Sequence, residues 1–241
     1  MHTPQEAGGH GAGHDAHHHG VVVPAPPGFV PHVVAHHFDT AEAEFSADKL
    51  AMWLFLATEV LLFGGLFAAY FYYHGVYPET FKVGGHQLNW RLGALNTLIL
   101  LFSSYTMAMG VRAAQLSQKA LMQKMLGITV LCGLGFLVVK YFEYAAKVSH
   151  GLVPARWFSD HDHVMAGVEN GHLFFNFYWT MTAIHGLHVL IGMLLILWVM
   201  KGGAKGRFYG GYYLPVDLVG LYWHLVDLIW IFLFPLLYLV P

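Results

Sequence analysis

Ionisable side chains occur inside long apolar stretches of this sequence, and seven of them are the candidates for chemistry. A charged side chain at the centre of a bilayer costs about 2.5–3.5 kcal/mol on insertion scales, so each must face protein or water. Nothing in its own helix neutralises the first of them, Glu59, which we therefore expect to pack against other helices. The remaining six are predicted to form an intramembrane polar network: Lys140, Glu143, His185, His188, His224 and Asp227.

The spacing of Lys140 and Glu143 predicts an ion pair. Residues three apart lie on one face of a helix, so these two side chains can neutralise one another. We interpret the pair as lying near one end of its span, with long side chains that reach the membrane interface. A proton or lipid site is the alternative interpretation.

The histidines of the last two apolar stretches raise the question of haem. A bis-histidine haem in a helical bundle needs one imidazole from each of two facing helices, and the last stretch supplies only His224. We therefore predict that His185 and His188 donate hydrogen bonds to Glu143, to Asp227 or to backbone carbonyls. A haem-binding membrane cytochrome remains an alternative.

Two further clusters could hold Zn²⁺ or Cu²⁺, because imidazole and carboxylate are ligands for both ions. In the N-terminal tail the candidates are His17, His18 and His19, although a solvated low-complexity segment explains them as well. In the connection over residues 150–172, the candidates are residues 160–163, for which a contact with another subunit is the favoured explanation. The sequence therefore supports these metal sites only weakly.

Five apolar stretches, each long enough to cross a bilayer as a helix, must position these side chains. The chain is 56% hydrophobic and only 11% charged, whereas soluble domains carry about 25% charged residues. We predict an all-α, polytopic membrane bundle of five transmembrane helices, preceded by a flexible His-, Gly- and Pro-rich tail over residues 1–47. The stretches cover about residues 50–73, 92–111, 125–148, 173–200 and 214–240.

Charge and motif patterns restrict the orientation and the function. Basic residues are more frequent in the tail and in the second and fourth connections, which predicts a cytoplasmic N-terminus. No basic run points to nucleic acid, and the single Cys132 lies in an apolar stretch and predicts no disulfide framework. Since no nucleophile elbow, zinc-protease motif or phosphate loop occurs, we expect no catalytic centre on this chain.

Five motifs in order carry a resemblance to a known family. Over residues 49–241 the chain resembles subunit III of the haem-copper terminal oxidases, most often cytochrome c oxidase, in its short five-helix bacterial form. The motifs are TEV at residues 58–60, LNTLILLFSS at 95–104, FEY at 142–144, AIHGLHVLIG at 183–192 and YWHLVDLIWIFLF at 222–234.

The resemblance implies a subunit of an oxidoreductase complex in the bacterial plasma membrane, without haem or metal of its own. Subunit I would be its direct partner and subunit II would belong to the same complex, and these partners would hold the haem and copper that reduce oxygen while protons are pumped. The family's buried glutamate falls on Glu59, near the mouth of a proton path in subunit I, and its third-span glutamate falls on Glu143. The implied role is to support assembly, stability and proton uptake.

Two alternatives remain open within this resemblance. The same subunit could serve a quinol oxidase or a nitric oxide reductase, because other subunits choose the electron donor. Bound phospholipid is a further implication, since two additional helices in longer members open a lipid-filled cleft. The five predicted spans of this chain resemble the last five helices of that longer form.

Overall fold

Five long helices build the chain, with one short helix and one short hairpin added. The computed structural model describes residues 21–154, 159–160, 165 and 167–239. Five of the helices are long and apolar enough to cross a membrane, which confirms the predicted five-helix, all-α bundle. In chain order the elements are β1 (Val22–Val23), β2 (His32–Val33), α1 (Ala41–Val76), α2 (Pro78–His86), α3 (Trp90–Gln115), α4 (Lys119–Ser149), α5 (His172–Ala204) and α6 (Leu214–Tyr238).

Local sequence signals fix where several helices begin. The side chain of Thr40 accepts a hydrogen bond from the Ala43 N–H at 3.1 Å and caps α1. Asn89 caps α3 in the same way, because a side-chain oxygen satisfies an amide that has no partner within the helix. Pro78 stands at the first position of α2, where its missing N–H costs nothing. The helix α2 is too short for a membrane span, and we had not predicted it.

The helices are packed unequally. Half of the most apolar stretch of α6 is buried inside the protein, against 11% of that of α1. Glycines allow close approach at the centre, since a Cβ on Gly192 of α5 would lie 2.8 Å from the Trp223 ring of α6. A hydrogen bond of 2.8 Å between Thr106 and Thr129 fixes the register of α3 against α4. The core therefore lies between α3, α4, α5 and α6, and α1 lies at its edge.

Residues 21–47 are folded in the structure, in contrast to the prediction of a flexible tail. These residues form the β1–β2 hairpin and the first turns of α1. The hairpin docks on the connection between α5 and α6, where the Val30 N–H donates to Gly206 O at 2.9 Å and the Tyr209 hydroxyl donates to Val23 O at 2.9 Å. Composition alone missed this segment because its stabilising contacts come from residues far along the chain.

A stacked ring pair completes the docking of the hairpin. The His32 ring lies parallel to the Tyr212 ring, with 3.6 Å between their centroids. The Nε2 atom of His32 also lies 2.8 Å from Oε2 of Glu44 in α1. Burial raises the pKa of Tyr212, so its phenol stays neutral. The tail histidines His17, His18 and His19 lie outside the described residues.

The connection between α4 and α5 is described only in part. The Asp160 carboxylate accepts a hydrogen bond from the Met165 N–H at 3.0 Å, and the Glu169 carbonyl accepts one from the Thr80 hydroxyl at 2.6 Å. Asp160 and Glu169 therefore contribute to the internal bonding of this connection and its attachment to α2. The other predicted candidates in this connection, His161, Asp162 and His163, lie outside the described residues.

Candidate functional site

Glu59 pairs with a histidine that the sequence did not indicate as its partner. Its Oε2 atom on α1 lies 2.8 Å from Nε2 of His188 on α5. The other ring nitrogen of His188, Nδ1, lies 2.7 Å from the carbonyl oxygen of Ile184, one turn earlier in α5. A carbonyl oxygen can only accept a hydrogen bond, so Nδ1 carries a hydrogen.

The bond from Nδ1 limits the arrangements that His188 and Glu59 can adopt. With Nδ1 protonated, a neutral imidazole offers only a lone pair at Nε2, which needs a donor on the carboxyl group. Alternatively, a charged imidazolium donates from Nε2 to a carboxylate. Either arrangement needs one proton in the 2.8 Å hydrogen bond between Glu59 and His188, and transfer of that proton from oxygen to nitrogen would preserve the bond.

The pair lies at the edge of a cleft between α1, α5 and α6. The cleft has a volume of about 330 Å³, and the side chains of Glu59 and His188 are 15% and 13% exposed. The Tyr222 hydroxyl of α6 donates to His188 O at 3.2 Å and closes one side. Apart from the pair, its walls are formed by Met52, Phe55, Ile191, Leu195, Leu218, Val219 and Tyr222.

The face of α1 that packs on the bundle is narrower than the sequence suggests. Leu56 and Phe63, on either side of Glu59, are buried. Trp53, Phe55 and Val60, which lie within six residues of Glu59 along α1, are 59%, 43% and 53% exposed. Because α1 touches the other helices along a single edge, only a narrow stripe of its side chains is covered.

Lys140 and Glu143 form a second pair, and it is fully enclosed. Lys140 Nζ lies 3.1 Å from Glu143 Oε2, and the Tyr238 hydroxyl donates to the other carboxylate oxygen at 2.6 Å. The expectation that these side chains reach the membrane interface is wrong, since each residue is only 4% exposed. Aromatic rings of α4, α5 and α6 surround the ammonium group at 5.0–5.6 Å and seal it: Tyr144, Tyr178, Trp230 and Tyr238.

The remaining predicted residues do not join this pair in one network. His185 is completely buried between the rings of Phe136 and Trp230. Neither of its nitrogens has a hydrogen-bond partner among the described residues. The predicted bonds from His185 and His188 to Glu143 or Asp227 are therefore wrong, because His188 points to α1 and His185 packs among aromatic rings. His188 does bond a backbone carbonyl, but that carbonyl belongs to Ile184 of its own helix rather than to a neighbouring helix.

The polar residues of α6 bond to serines of α3. His224 Nδ1 lies 2.8 Å from Ser104 Oγ, and Asp227 Oδ2 lies 3.4 Å from Ser103 Oγ. Trp223 also donates its indole N–H to Ser103 at 3.0 Å. These bonds tie α6 to α3, and sequence reasoning missed the two serines because nothing in their spacing marks them as partners.

Metal-ligating side chains are dispersed in this structure. Over residues 21–154, 159–160, 165 and 167–239, no three histidine, cysteine, aspartate or glutamate side chains come together in a group that could hold a metal ion.

Comparison with known proteins decides the family. The family model of cytochrome c oxidase subunit III matches residues 35–240. This chain belongs to the cytochrome c oxidase subunit III family. As a subunit III it is a multi-pass membrane component of a haem-copper oxidase, an oxidoreductase complex.

Individual relatives support this assignment to subunit III. A Synechocystis sp. protein named cytochrome c oxidase subunit 3 is 35% identical over 188 residues, which cover 78% of this chain and 73% of that protein. A probable quinol oxidase subunit 3 of Staphylococcus epidermidis is 28% identical over 86% of this chain and 95% of its own length. In Aeropyrum pernix, a protein named heme-copper oxidase subunit I+III is 30% identical over 81% of this chain and 23% of its own length.

Proposed function

We propose that this chain supports subunit I of an aerobic respiratory haem-copper oxidase in a bacterial plasma membrane, and that the Glu59–His188 pair assists proton uptake by subunit I. The observation that carries the proposal is the 2.8 Å hydrogen bond between Glu59 and His188 at the edge of a cleft. Assembly and stability of the complex would rest on the rest of the bundle. The chain supplies no catalytic centre, and the haem and copper would be held by subunits I and II.

The chemistry of the pair suits a proton store. A carboxyl group and an imidazole share one proton, and the two arrangements differ only by its transfer along a 2.8 Å hydrogen bond. Both side chains are partly uncovered in this chain, so a group of subunit I that contacts the cleft could exchange a proton with them. A proton held beside an uptake path would reach subunit I faster in each turnover than a proton taken from bulk water.

Two observations support direct contact with subunit I. The name of the Aeropyrum pernix relative joins subunits I and III in one protein. In this chain the outer face of α1 keeps large apolar side chains uncovered, among them Trp53, Leu61 and Phe71 at 59%, 74% and 62% exposure. We propose that part of this uncovered surface of the bundle faces subunit I.

We propose that the cleft beside Glu59 holds part of a phospholipid. Its volume of about 330 Å³ lies in the range of small-molecule sites, about 300–1,000 Å³. Its walls are apolar except for the acid–base pair and the Tyr222 hydroxyl, which suits an acyl chain. The cleft opens between α1 and the α5–α6 pair, where helix packing is loosest.

The first test is purification of the complex through this subunit in mild detergent, with a reduced-minus-oxidised spectrum and mass identification of its partners. Haem-copper oxidase bands with a copper-binding subunit II support a cytochrome c oxidase. The same bands with a subunit II that lacks the copper ligands support a quinol oxidase, the second candidate, which the Staphylococcus epidermidis relative favours. Absence of haem and of partners would contradict the proposal.

The second test replaces Glu59 with glutamine in the assembled oxidase. Glu59→Gln keeps the shape and a hydrogen bond to His188 but cannot take up a proton, so we expect slower proton uptake and several-fold fewer turnovers before inactivation. The matched control is Glu79→Gln, which removes an exposed carboxylate from the first turn of α2. Unchanged proton uptake, proton stoichiometry and operational lifetime in Glu59→Gln would overturn the assignment.

A further inference from the structure

Three basic side chains surround a cavity at the C-terminal end of α5. The cavity has a volume of about 170 Å³, and its walls include Lys201, Lys205 and Arg207 together with Trp198. The three cations are exposed, and their charged groups form no ion pair with any residue in the described ranges. Like charges gathered in this way attract an anion.

The helix dipole does not cancel this attraction. The C-terminus of a helix carries about half a negative charge, whereas the three side chains carry three positive charges. The last carbonyls of α5 are also occupied, since Gly202 O accepts from the Lys205 N–H and Gly203 O accepts from the Gly206 N–H. The site therefore has a clear positive excess.

The loop that carries Arg207 is held in place by the N-terminal hairpin. The Val30 N–H donates to Gly206 O at 2.9 Å. Gly206 has a φ of +72°, and a Cβ there would lie 2.8 Å from the backbone oxygen of Gly28. The close approach of two backbones thus fixes the residue next to Arg207, and the backbone of this loop is in place before any ligand arrives.

An uncovered apolar stripe of α5 leads away from the cations. Leu190, Leu194 and Leu197 are 44%, 58% and 47% exposed. They share one helix face with Lys201, because they are separated from it and from one another by three or four residues. From Leu190 to Lys201 the helix rises about 16 Å, close to half of the roughly 30 Å hydrocarbon thickness of a bilayer.

We propose that this basic cluster binds the phosphate headgroup of one anionic phospholipid, whose acyl chain lies along the Leu190–Leu197 stripe. A headgroup in the cavity would account for the three basic side chains, and an acyl chain of one leaflet's length would cover the exposed leucines of the stripe. The site is separate from the cleft at Glu59, whose α5 wall lies roughly 100° further around the helix. The predicted cytoplasmic side of this loop is the side on which anionic lipids give the leaflet its negative surface potential.

The test uses the oxidase complex purified through this subunit and placed in phosphatidylcholine nanodiscs that contain about one-tenth phosphatidylglycerol. Native mass spectrometry counts the phosphatidylglycerol molecules that remain bound. A basic residue near an anionic lipid changes the affinity about fivefold. The double variant Lys201→Gln/Lys205→Gln is therefore expected to lower the affinity of this site for phosphatidylglycerol about 25-fold.

A matched control removes the same charge from the same side of the membrane. Lys119→Gln/Lys124→Gln neutralises two exposed lysines in the first turns of α4, and we expect it to keep phosphatidylglycerol binding at the wild-type level. Equal losses in both double variants, or no loss in either, would overturn the proposal. Both variants leave the hairpin contacts and Arg207 in place, so the loop keeps its shape.

Inorganic phosphate distinguishes a lipid from a soluble anion. A lipid held by both headgroup and chain is expected to stay bound when millimolar phosphate is added to the wild-type complex. Displacement of phosphatidylglycerol by phosphate would contradict the lipid assignment and point to a site for a soluble phosphate compound. Equal retention of phosphatidylcholine and phosphatidylglycerol would contradict the role of charge.

Discussion

The two acid–base pairs of this subunit use similar chemistry in opposite surroundings. Lys140 and Glu143 lie one turn apart on α4 and are 4% exposed, within a cage of aromatic rings. Glu59 and His188 come from different helices and lie at the edge of a cleft, with 15% and 13% of their side chains exposed. An enclosed pair suits fixed charges, whereas a pair at a cleft edge suits the proton exchange that we propose for it.

Helix packing accounts for this difference. The enclosed pair lies where α4, α5 and α6 meet, and Tyr178 and Tyr238 complete its hydrogen bonds. The open pair lies where α1 meets the bundle, and only 11% of the apolar stretch of α1 is buried. We infer that the first pair serves the stability of the fold and the second serves function.

Breaking the enclosed pair should have the largest effect on stability. Lys140→Met leaves the Glu143 carboxylate buried without its cation, a change that typically costs about 3–5 kcal/mol. We expect little assembled complex, with a thermal midpoint lower by about 10 °C. The measurement is the yield and thermal inactivation of the purified oxidase.

Two companion variants give this prediction its control. Lys140→Met/Glu143→Gln removes both charges and should regain much of the lost stability, because replacing a whole buried ion pair is often nearly neutral. Lys140→Gln keeps a hydrogen-bond donor and should cost less than Lys140→Met. If the double variant is as unstable as Lys140→Met, the buried charge is not the cause.

The addition of one methyl group should affect stability differently at a tight helix contact and at an open helix position. Gly192→Ala would place a Cβ 2.8 Å from the Trp223 ring, whereas nothing lies within 4 Å of a Cβ on Gly64 of α1. Overpacking typically costs about 1–3 kcal/mol, and alanine in an open helix position gains up to about 1 kcal/mol over glycine. Thermal inactivation should therefore fall to lower temperature for Gly192→Ala and stay or rise for Gly64→Ala. Equal shifts would contradict the difference in packing.

The smallest effect on stability is expected at the open pair. Partly exposed ion pairs contribute about 0–1 kcal/mol, so Glu59→Gln should leave the thermal midpoint within about 3 °C of the wild type. Thermal inactivation in the same detergent provides the comparison with Lys140→Met. A loss as large as that of Lys140→Met would mean that Glu59 also serves the fold.

Local spacing explains which parts of the structure could be predicted. The five spans follow from the length of the apolar stretches, and the closeness of Lys140 and Glu143 follows from their separation of three residues. The partner of Glu59 could not be predicted, because His188 is 129 residues away and the rotation of two helices decides which side chains meet. The hairpin escaped prediction for the same reason, since His32 bonds Tyr209 across 177 residues.

Burial was the property that sequence reasoning judged least well. The position of Lys140 near the end of its span suggested that its side chain reaches the interface. Tyr178 and Tyr238 cover it, and neither is close to it in sequence. Similarly, the serines that bond His224 and Asp227 lie on α3 and have no spacing relation to α6.

Carboxyl footprinting of the purified complex tests the contrast between the two pairs most directly. A membrane-soluble carbodiimide forms adducts with carboxyl groups that it can reach and that can take up a proton, and peptide mass spectrometry locates them. The account predicts an adduct on Glu59, and none on Glu143 over the same time. Modification of Glu143 as fast as Glu59, or an unmodified Glu59, would contradict the distinction between an open proton-exchanging pair and an enclosed structural one.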